Sequence, residues 1–306
     1  MNPELINAEC IDWLKKRKEN SIHAVVTDPP FGMREYSPEE ILKLRNGKGG
    51  IWRIPPTFGG SKRKPLPRYT VLTEEDIESI RNFFLSWGKE IERVLVPGGH
   101  IFIAGNPLVN HVVYNALEEA HLEKRGEIIR IVRTLRGGDR PKGAEKKYSD
   151  ISAMPRACYE PWGLFRKDLD GKLSKNLEKW GTGGLRRPET DKPFEDLIES
   201  ERTPKPEKDI SPHPSLKPQR FMRQIVHSSL PLGKGVIVDT FMGGGSTIAA
   251  AEAIGYKSIG IEIDETYFNM AMKAIPILSR INCEVQCGSG QTKLHHNQIE
   301  EKEIVY

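Results

Sequence analysis

Residues 236–264 read VIVDTFMGGGSTIAAAEAIGYKSIGIEID, and no other stretch narrows the fold as far. An apolar run, a glycine-rich turn, an alanine-rich helix to Gly255 and a second apolar run from Ser258 to Ile261 follow one another closely. A strand, helix, strand succession implies parallel strands joined by a crossover that covers the sheet. Helices are expected from about Pro218 to Ser229 and from about Thr266, with a strand from Gly235 to Val238. The expected fold class is α/β, a doubly wound, mostly parallel sheet.

The same turn limits the ligand. Glycines let a ligand approach the backbone, and the helix N-terminus behind them favours an anionic group such as a carboxylate. Glu262 closes the next strand about 20 residues on, where an acid accepts hydrogen bonds from ribose hydroxyls. A phosphate-cradling loop needs lysine directly before Ser246, where Gly245 stands, and a dinucleotide fingerprint needs glycine where Ile248 stands. S-adenosylmethionine, an adenosine cofactor without phosphate, fits better than either. The competing reading is a turn that serves helix packing alone.

A second constraint lies near the N-terminus, where residues 25–32 read VVTDPPFG. A short apolar start (Leu5, Ile6), an amphipathic helix near Ile11 to Lys18 and a strand from Ile22 to Val26 lead into it. The plain reading is a turn, since Asp-Pro starts many. Yet Pro29 and Pro30 fix φ and remove two N–H donors, leaving the carbonyls of Asp28 and Pro29 as rigid acceptors beside a carboxylate and the Phe31 ring. Such a set suits an exocyclic amino group. Acceptors at Asp28 Oδ and the Pro29 carbonyl bond both N–H groups and stabilise the positive charge that grows as the nitrogen attacks a methyl group. Phe31 is placed to stack on the base, which must leave a duplex to be reached.

Between the two motifs the chain alternates regular and irregular blocks. Residues 33–70 are a basic, Gly- and Pro-rich insertion of the length that marks functional loops or disorder. A helix is expected from the Thr73 cap through Ile77, Ile80, Phe84, Trp87 and Ile91, stopping at Pro97-Gly98-Gly99. A strand from His100 to Ala104, a helix from Leu108 to Leu122, and strands at 127–132 and 157–165 follow. Residues 134–155 and 166–211 read as irregular and variable, and no internal repeat is present.

Three segments, DPPF, FMGGGST with the later GIEID, and HPSLKP, resemble the motifs of the DNA amino-methyltransferases that modify adenine N6 or cytosine N4. Their order, catalytic motif first and cofactor motif last, is similar to that of the circularly permuted β group. The resemblance covers residues 1 to about 280. It implies a Rossmann-like methyltransferase sheet with an inserted target-recognition region: 1–133 as the catalytic half, 134–211 for target recognition around a core strand at 157–165, 212–287 as the cofactor half, and a tail from 288. It implies Asp28, Pro29, Pro30 and Phe31 as the catalytic set. For the cofactor it implies Asp239, Phe241, Gly243, Gly245, Ser246 and Glu262, with Asp28 beside it. Ser215 and Lys217 are candidates for the cofactor carboxylate, against an equally good reading as a charged helix start. Glu9 and Cys10 fall where family members usually show Gly-Asp near the cofactor adenine. His213 is expected to be structural, because methyl transfer to an amine needs no strong base.

The implied function is site-specific methylation of duplex DNA at a flipped-out base, with adenine preferred because cytosine members more often carry serine in place of Asp28. N4-cytosine methylation is the nearest rival, followed by RNA methylation and a non-catalytic DNA-binding module. A homodimer and a cognate restriction enzyme are suggested by the resemblance alone.

Charge fits a polyanionic partner through its distribution more than its sum. The net charge of the 306 residues is only +4. Candidate phosphate contacts are Lys62, Arg63, Lys64, Arg136, Arg140, Lys142, Lys146, Lys147, Arg186 and Arg187, gathered in polar stretches. The alternative for each cluster is a solvated surface. No apolar run approaches the roughly 20 residues that span a bilayer, so a cytoplasmic protein without membrane contact is expected. The four cysteines are scattered and expected to be reduced. Cys283 and Cys287 with His295 and His296 are poorly spaced for zinc, and no metal is expected.

Overall fold

The computed structural model describes residues 3–30, 57–58, 61–62, 74–133, 138, 140–141 and 143–283. Strand β1 (Glu4–Asn7) and helix α1 (Cys10–Lys15) lead to β2 (Ile22–Thr27). A short hairpin, β3 (Thr57–Phe58) with β4 (Ser61–Lys62), stands apart from the main sheet. Then come α2 (Glu74–Val94), β5 (Leu95–Ala104), α3 (Asn110–Glu119), β6 (Glu123–Ile131) and β7 (Tyr159–Arg166). The chain continues through α4 (Leu173–Trp180), β8 (Leu197–Glu199), α5 (Lys205–Ile210) and α6 (Gln219–Ser229). It closes with β9 (Val236–Asp239), α7 (Ser246–Ala253), β10 (Lys257–Glu262) and α8 (Glu265–Leu278).

The main sheet has eight strands in the order β1-β10-β9-β2-β5-β7-β6-β8. All pairs are parallel except those of β7, which runs antiparallel to β5 and β6. The central strands bury both faces by simple alternation. Val25, Ile101, Ile103 and Val238 face the α1–α2–α3 layer, where Trp13, Phe84, Trp87 and Leu117 pack. Ala24, Val26, Phe102 and Ile237 face α6 and α7 through Phe221, Met222, Ile225 and Ala250. Helix α2 shows why its stretch is helical: Ile80, Phe84, Trp87 and Ile91 are buried at three- and four-residue spacing, and Glu74, Glu75 and Asp76 crowd its N-terminus.

Two expectations need correction. Pro97-Gly98-Gly99 was expected to end one element before a strand at His100, yet β5 starts at Leu95. Ile22 pairs with Leu95 and Ala24 already with His100, so the tripeptide is looped out as a bulge. Gly98 at φ +77° and two donors on the Pro97 carbonyl, Asn176 Nδ2 at 3.0 Å and Thr182 Oγ1 at 2.6 Å, hold it there. The second is the zone 166–211, expected to be irregular, which contains α4, α5 and the edge strand β8 paired parallel to β6.

The reversed direction of β7 sorts the chain between the two edges of the sheet. Its first residues lie at the carboxyl edge of β2, β5, β6 and β9, and the described residues between β6 and β7 join the sheet at that edge, where Val132 N–H donates to the Cys158 carbonyl at 3.0 Å. Its last residue, Arg166, lies at the amino edge, and 167–187 stays there, with Gly98 N–H donating to the Lys167 carbonyl at 3.1 Å. The segment 200–217 returns to the carboxyl edge after β8, where Arg202 donates to the Arg133 carbonyl at 3.0 Å.

Candidate active site

β2 and β9 are neighbours in register, Ala24 with Ile237 and Val25 with Val238. Both motif loops therefore leave the sheet side by side at its carboxyl edge, the usual ligand position in open α/β sheets. A buried hydrogen bond of 2.6 Å from Thr27 Oγ1 to Asp239 Oδ1 ties them together. The same oxygen accepts the Phe241 N–H at 3.1 Å. Burial pushes the Asp239 carboxyl up to about 6, although hydrogen bonds from Thr27, Thr247 and the Phe241 N–H pull the other way. Thr240 is fixed from the helical layer by Trp87 Nε1 at 3.1 Å, and the Trp87 and Phe241 rings lie 6.1 Å apart.

The glycine turn is shaped by close packing. Gly245 has φ +86°, and a Cβ on Gly244 would stand 2.6 Å from both Ser211 Oγ and His213 Cβ. The segment from Ser211 lies against it: Ser211 Oγ donates to the Gly244 carbonyl at 3.1 Å, and Lys217 N–H donates to Ser246 Oγ at 3.0 Å. His213 stacks edge-on with Tyr267 at 4.4 Å between centroids, consistent with a structural part. Glu262, at the end of β10, accepts the Gly243 N–H at 2.7 Å on Oε2 and the Asp264 N–H at 2.9 Å on Oε1. A carboxylate has about four lone-pair sites, so hydroxyl partners remain possible on both oxygens.

Asp28 stands across the cleft from that turn. Its Oδ2 accepts Ser215 Oγ at 3.2 Å and Lys217 Nζ at 2.5 Å. Oδ1 takes no hydrogen bond among the described residues. Burial pushes the Asp28 carboxyl up and the Lys217 ammonium pulls it down; the balance lies above the ordinary aspartate value. Lys217 sits between two carboxylates, Asp28 and Glu160, and their charges hold its ammonium above the ordinary lysine value despite burial.

The other expected residues fall into three groups. Glu9 caps α1, accepting the Asp12 N–H at 2.7 Å on Oε2 and the Cys10 thiol at 3.2 Å on Oε1, while Cys10 is buried in the core. Arg140, Lys146 and Lys147 are exposed at the carboxyl edge, the side of the motif loops. Arg186 and Arg187 are not: they lie at the amino edge, where Arg186 donates to Tyr256 Oη at 2.6 Å and its own N–H to the Ser228 carbonyl at 2.9 Å. Phe31, Arg63, Lys64, Arg136 and Lys142 and the side chain of Lys62 lie outside the described residues. Glu160 and Arg130 were missed by sequence reasoning. The sequence shows only a charge inside each of two apolar strands, CYEPWGLF and EIIRIV, without the pairing between them.

The cleft between Asp28, Ser215, Phe241, Gly243 and Thr247 suits a zwitterionic nucleoside cation. The Asp28 carboxylate favours positive charge, the N-terminus of α7 favours a carboxylate, and Glu262 favours hydroxyls.

Comparisons with known proteins point to one family. The DNA methylase family model N6/N4 methyltransferase matches residues 22–273. The type II methyltransferase M.HindIII of Haemophilus influenzae is 24 % identical over 307 residues, covering 91 % of this chain and 96 % of its own. Among solved structures, M1.HpyAVI in its SAM complex matches with a TM-score of 0.55 at 18 % identity, over 90 % of this chain and 99 % of its own. The cytosine-N4-specific PvuII DNA methyltransferase matches with a TM-score of 0.56 at 13 % identity, over 94 % and 89 %.

Proposed function

The chain belongs to the N6/N4 DNA methylase family, the S-adenosylmethionine-dependent DNA amino-methyltransferases, and on that premise we propose that it methylates adenine N6 in duplex DNA. The observation that carries the site is Asp28: one oxygen is bound on the protein side, the other is unbonded among the described residues, and Thr27 links it to the cofactor motif. Asp28 in place of the serine more common in cytosine members favours adenine.

Asp28 Oδ1 and the Pro29 carbonyl accept the two N–H bonds of the target amine. The nitrogen lone pair is thereby aimed away from the ring and towards the cofactor cleft. Bound in that cleft, S-adenosylmethionine supplies an electrophilic methyl group on its sulfonium. The amine would take the methyl group as its bond to the sulfonium sulfur breaks, the bonding pair leaving with sulfur as a neutral thioether; the nitrogen becomes positive, and the Asp28 carboxylate, held in place beforehand, stabilises that charge. The product nitrogen then sheds its extra proton, which is acidic enough to leave without a strong base. Glu262 takes the ribose hydroxyls, Gly243 and Ser246 line the path to the α7 N-terminus, and Gly245 at φ +86° makes the turn into that helix. Asp239 and Phe241 shape the floor, with Phe31 as the ring that holds the flipped base. Phosphate contacts are assigned to the carboxyl edge, through Arg140, Lys146 and Lys147. A restriction partner and self-association complete the reading on family resemblance and take no part in the chemistry.

Transfer of a labelled methyl group to duplex DNA tests the site. Asp28→Ala is expected to keep cofactor binding within severalfold of wild type and, at saturating cofactor, to lose at least about 100-fold in transfer rate. Transfer at the wild-type rate with cofactor still bound would overturn the mechanism.

A further inference from the structure

Asp28 is the outer end of a row of four alternating charges that runs inward from the proposed transfer site. Lys217 Nζ is 2.5 Å from Asp28 Oδ2 and 3.6 Å from Glu160 Oε2, and Arg130 Nη1 is 3.4 Å from the same Glu160 oxygen. The two cations are the buried members, with side chains 9 % and 5 % exposed. Arg130 and Glu160 face each other in the β6–β7 register. Each is fixed on its far side. Arg130 donates to Ser200 Oγ at 3.0 Å and to the Glu201 carbonyl at 2.8 Å, with its guanidinium 5.0 Å from the Phe221 ring centre. Glu160 Oε1 accepts Trp162 Nε1 at 2.9 Å.

Stability does not call for such a row, because buried ion pairs are often replaceable by apolar side chains of similar volume at no loss. Geometry gives it a use. Lys217 is drawn to one side by Glu160 and meets Asp28 only at Oδ2, which turns Oδ1 to the open cleft. Glu160 also shares the lysine charge, so Lys217 does not fully match the charge of the Asp28 carboxylate.

We propose that Glu160 and Arg130 are positioning residues for methyl transfer, acting through Lys217 to hold Asp28 with Oδ1 facing the target amine. Lys217 then serves the catalytic carboxylate and not the carboxylate of the cofactor. The inference rests on the reading of Asp28 as the amine acceptor.

The test is single-turnover methyl transfer to duplex DNA at saturating cofactor, with cofactor and DNA affinities and thermal melting measured separately. Glu160→Gln keeps the shape and an acceptor for Trp162. It is expected to bind cofactor and DNA within about twofold of wild type and to transfer about 10- to 100-fold more slowly, the cost of a small misplacement of a reacting group. Lys217→Met should be at least as slow, and the double variant no slower than Lys217→Met alone. Arg130→Lys, which keeps the cation without its planar fork, should slow transfer severalfold with binding unchanged. Three results overturn the proposal: Glu160→Gln or Arg130→Lys at the wild-type rate, losses that multiply in the double variant, or Lys217→Met with weakened cofactor binding but normal transfer at saturation. Failure of the underlying reading has a separate signature, Asp28→Ala at the wild-type rate.

Discussion

At the scale of single residues, two acids at neighbouring strand ends do different work. Asp28 lines the cleft with only Oδ2 hydrogen-bonded among the described residues, whereas Asp239 is spent inside, between Thr27 and the Phe241 N–H. Asp239 is raised by burial from 3.8 to about 6, so its proton is favoured in the folded protein. A raised acid contributes stability that is fully present below the ordinary value and lost as pH rises through the raised one. Above about pH 6 the folded protein therefore holds a buried carboxylate that depends on the Thr27 hydroxyl, and below it the same bond is between neutral groups. Thr27→Val is expected to destabilise by about 1.5–3 kcal/mol at pH 8 and by about 1 kcal/mol at pH 5, as read by urea denaturation at each pH. An equal loss at both would mean that Asp239 does not titrate between them. The proposed catalytic segment stands out in the sequence because its oddity is chemical: two prolines remove donors where a strand ends. Glu160 and Arg130 do not, because a charged residue in a strand says nothing of its partner until the chain is folded.

At the scale of elements, the glycine turn and the segment crossing it form one unit. Gly244 has no room for a methyl group, since its Cβ would meet Ser211 and His213 at 2.6 Å. Gly244→Ala is expected to push the 211–217 segment off the turn, at about 1–3 kcal/mol of stability. Because Lys217 and Ser215 ride on that segment, methyl transfer should fall more than stability alone explains. Measuring rate per folded molecule, with melting as the control, checks this; a variant that loses stability and keeps its rate would detach the two. Helix and strand positions with strong periodicity were readable, as α2 shows. The Pro97-Gly98-Gly99 bulge was not: a local signal for a stop is overridden by Asn176 and Thr182, which reach the Pro97 carbonyl from 79 and 85 residues away.

At the scale of the molecule, the sheet separates a working edge from a supporting one. Composition gathered Lys146, Lys147, Arg186 and Arg187 into a single basic class, but the reversal of β7 places the first two at the carboxyl edge and the last two at the other. No local pattern carries that division, since it depends on strand direction. Lys146→Ala with Lys147→Ala is expected to weaken DNA binding and to lower the slope of log affinity against log salt by about 2, near one per lost phosphate contact. Arg187→Ala should leave both unchanged. Binding titrations at several salt concentrations decide the matter, and the reverse pattern would move the DNA to the opposite edge. The proposed chemistry meets at one atom, the exocyclic nitrogen of adenine held at Asp28. Duplex DNA incubated with the protein and S-adenosylmethionine, digested to nucleosides and weighed, tests it directly. N6-methyldeoxyadenosine, formed by the wild type and absent with Asp28→Ala, is the expected result; N4-methyldeoxycytidine alone, or no methylated nucleoside, contradicts it.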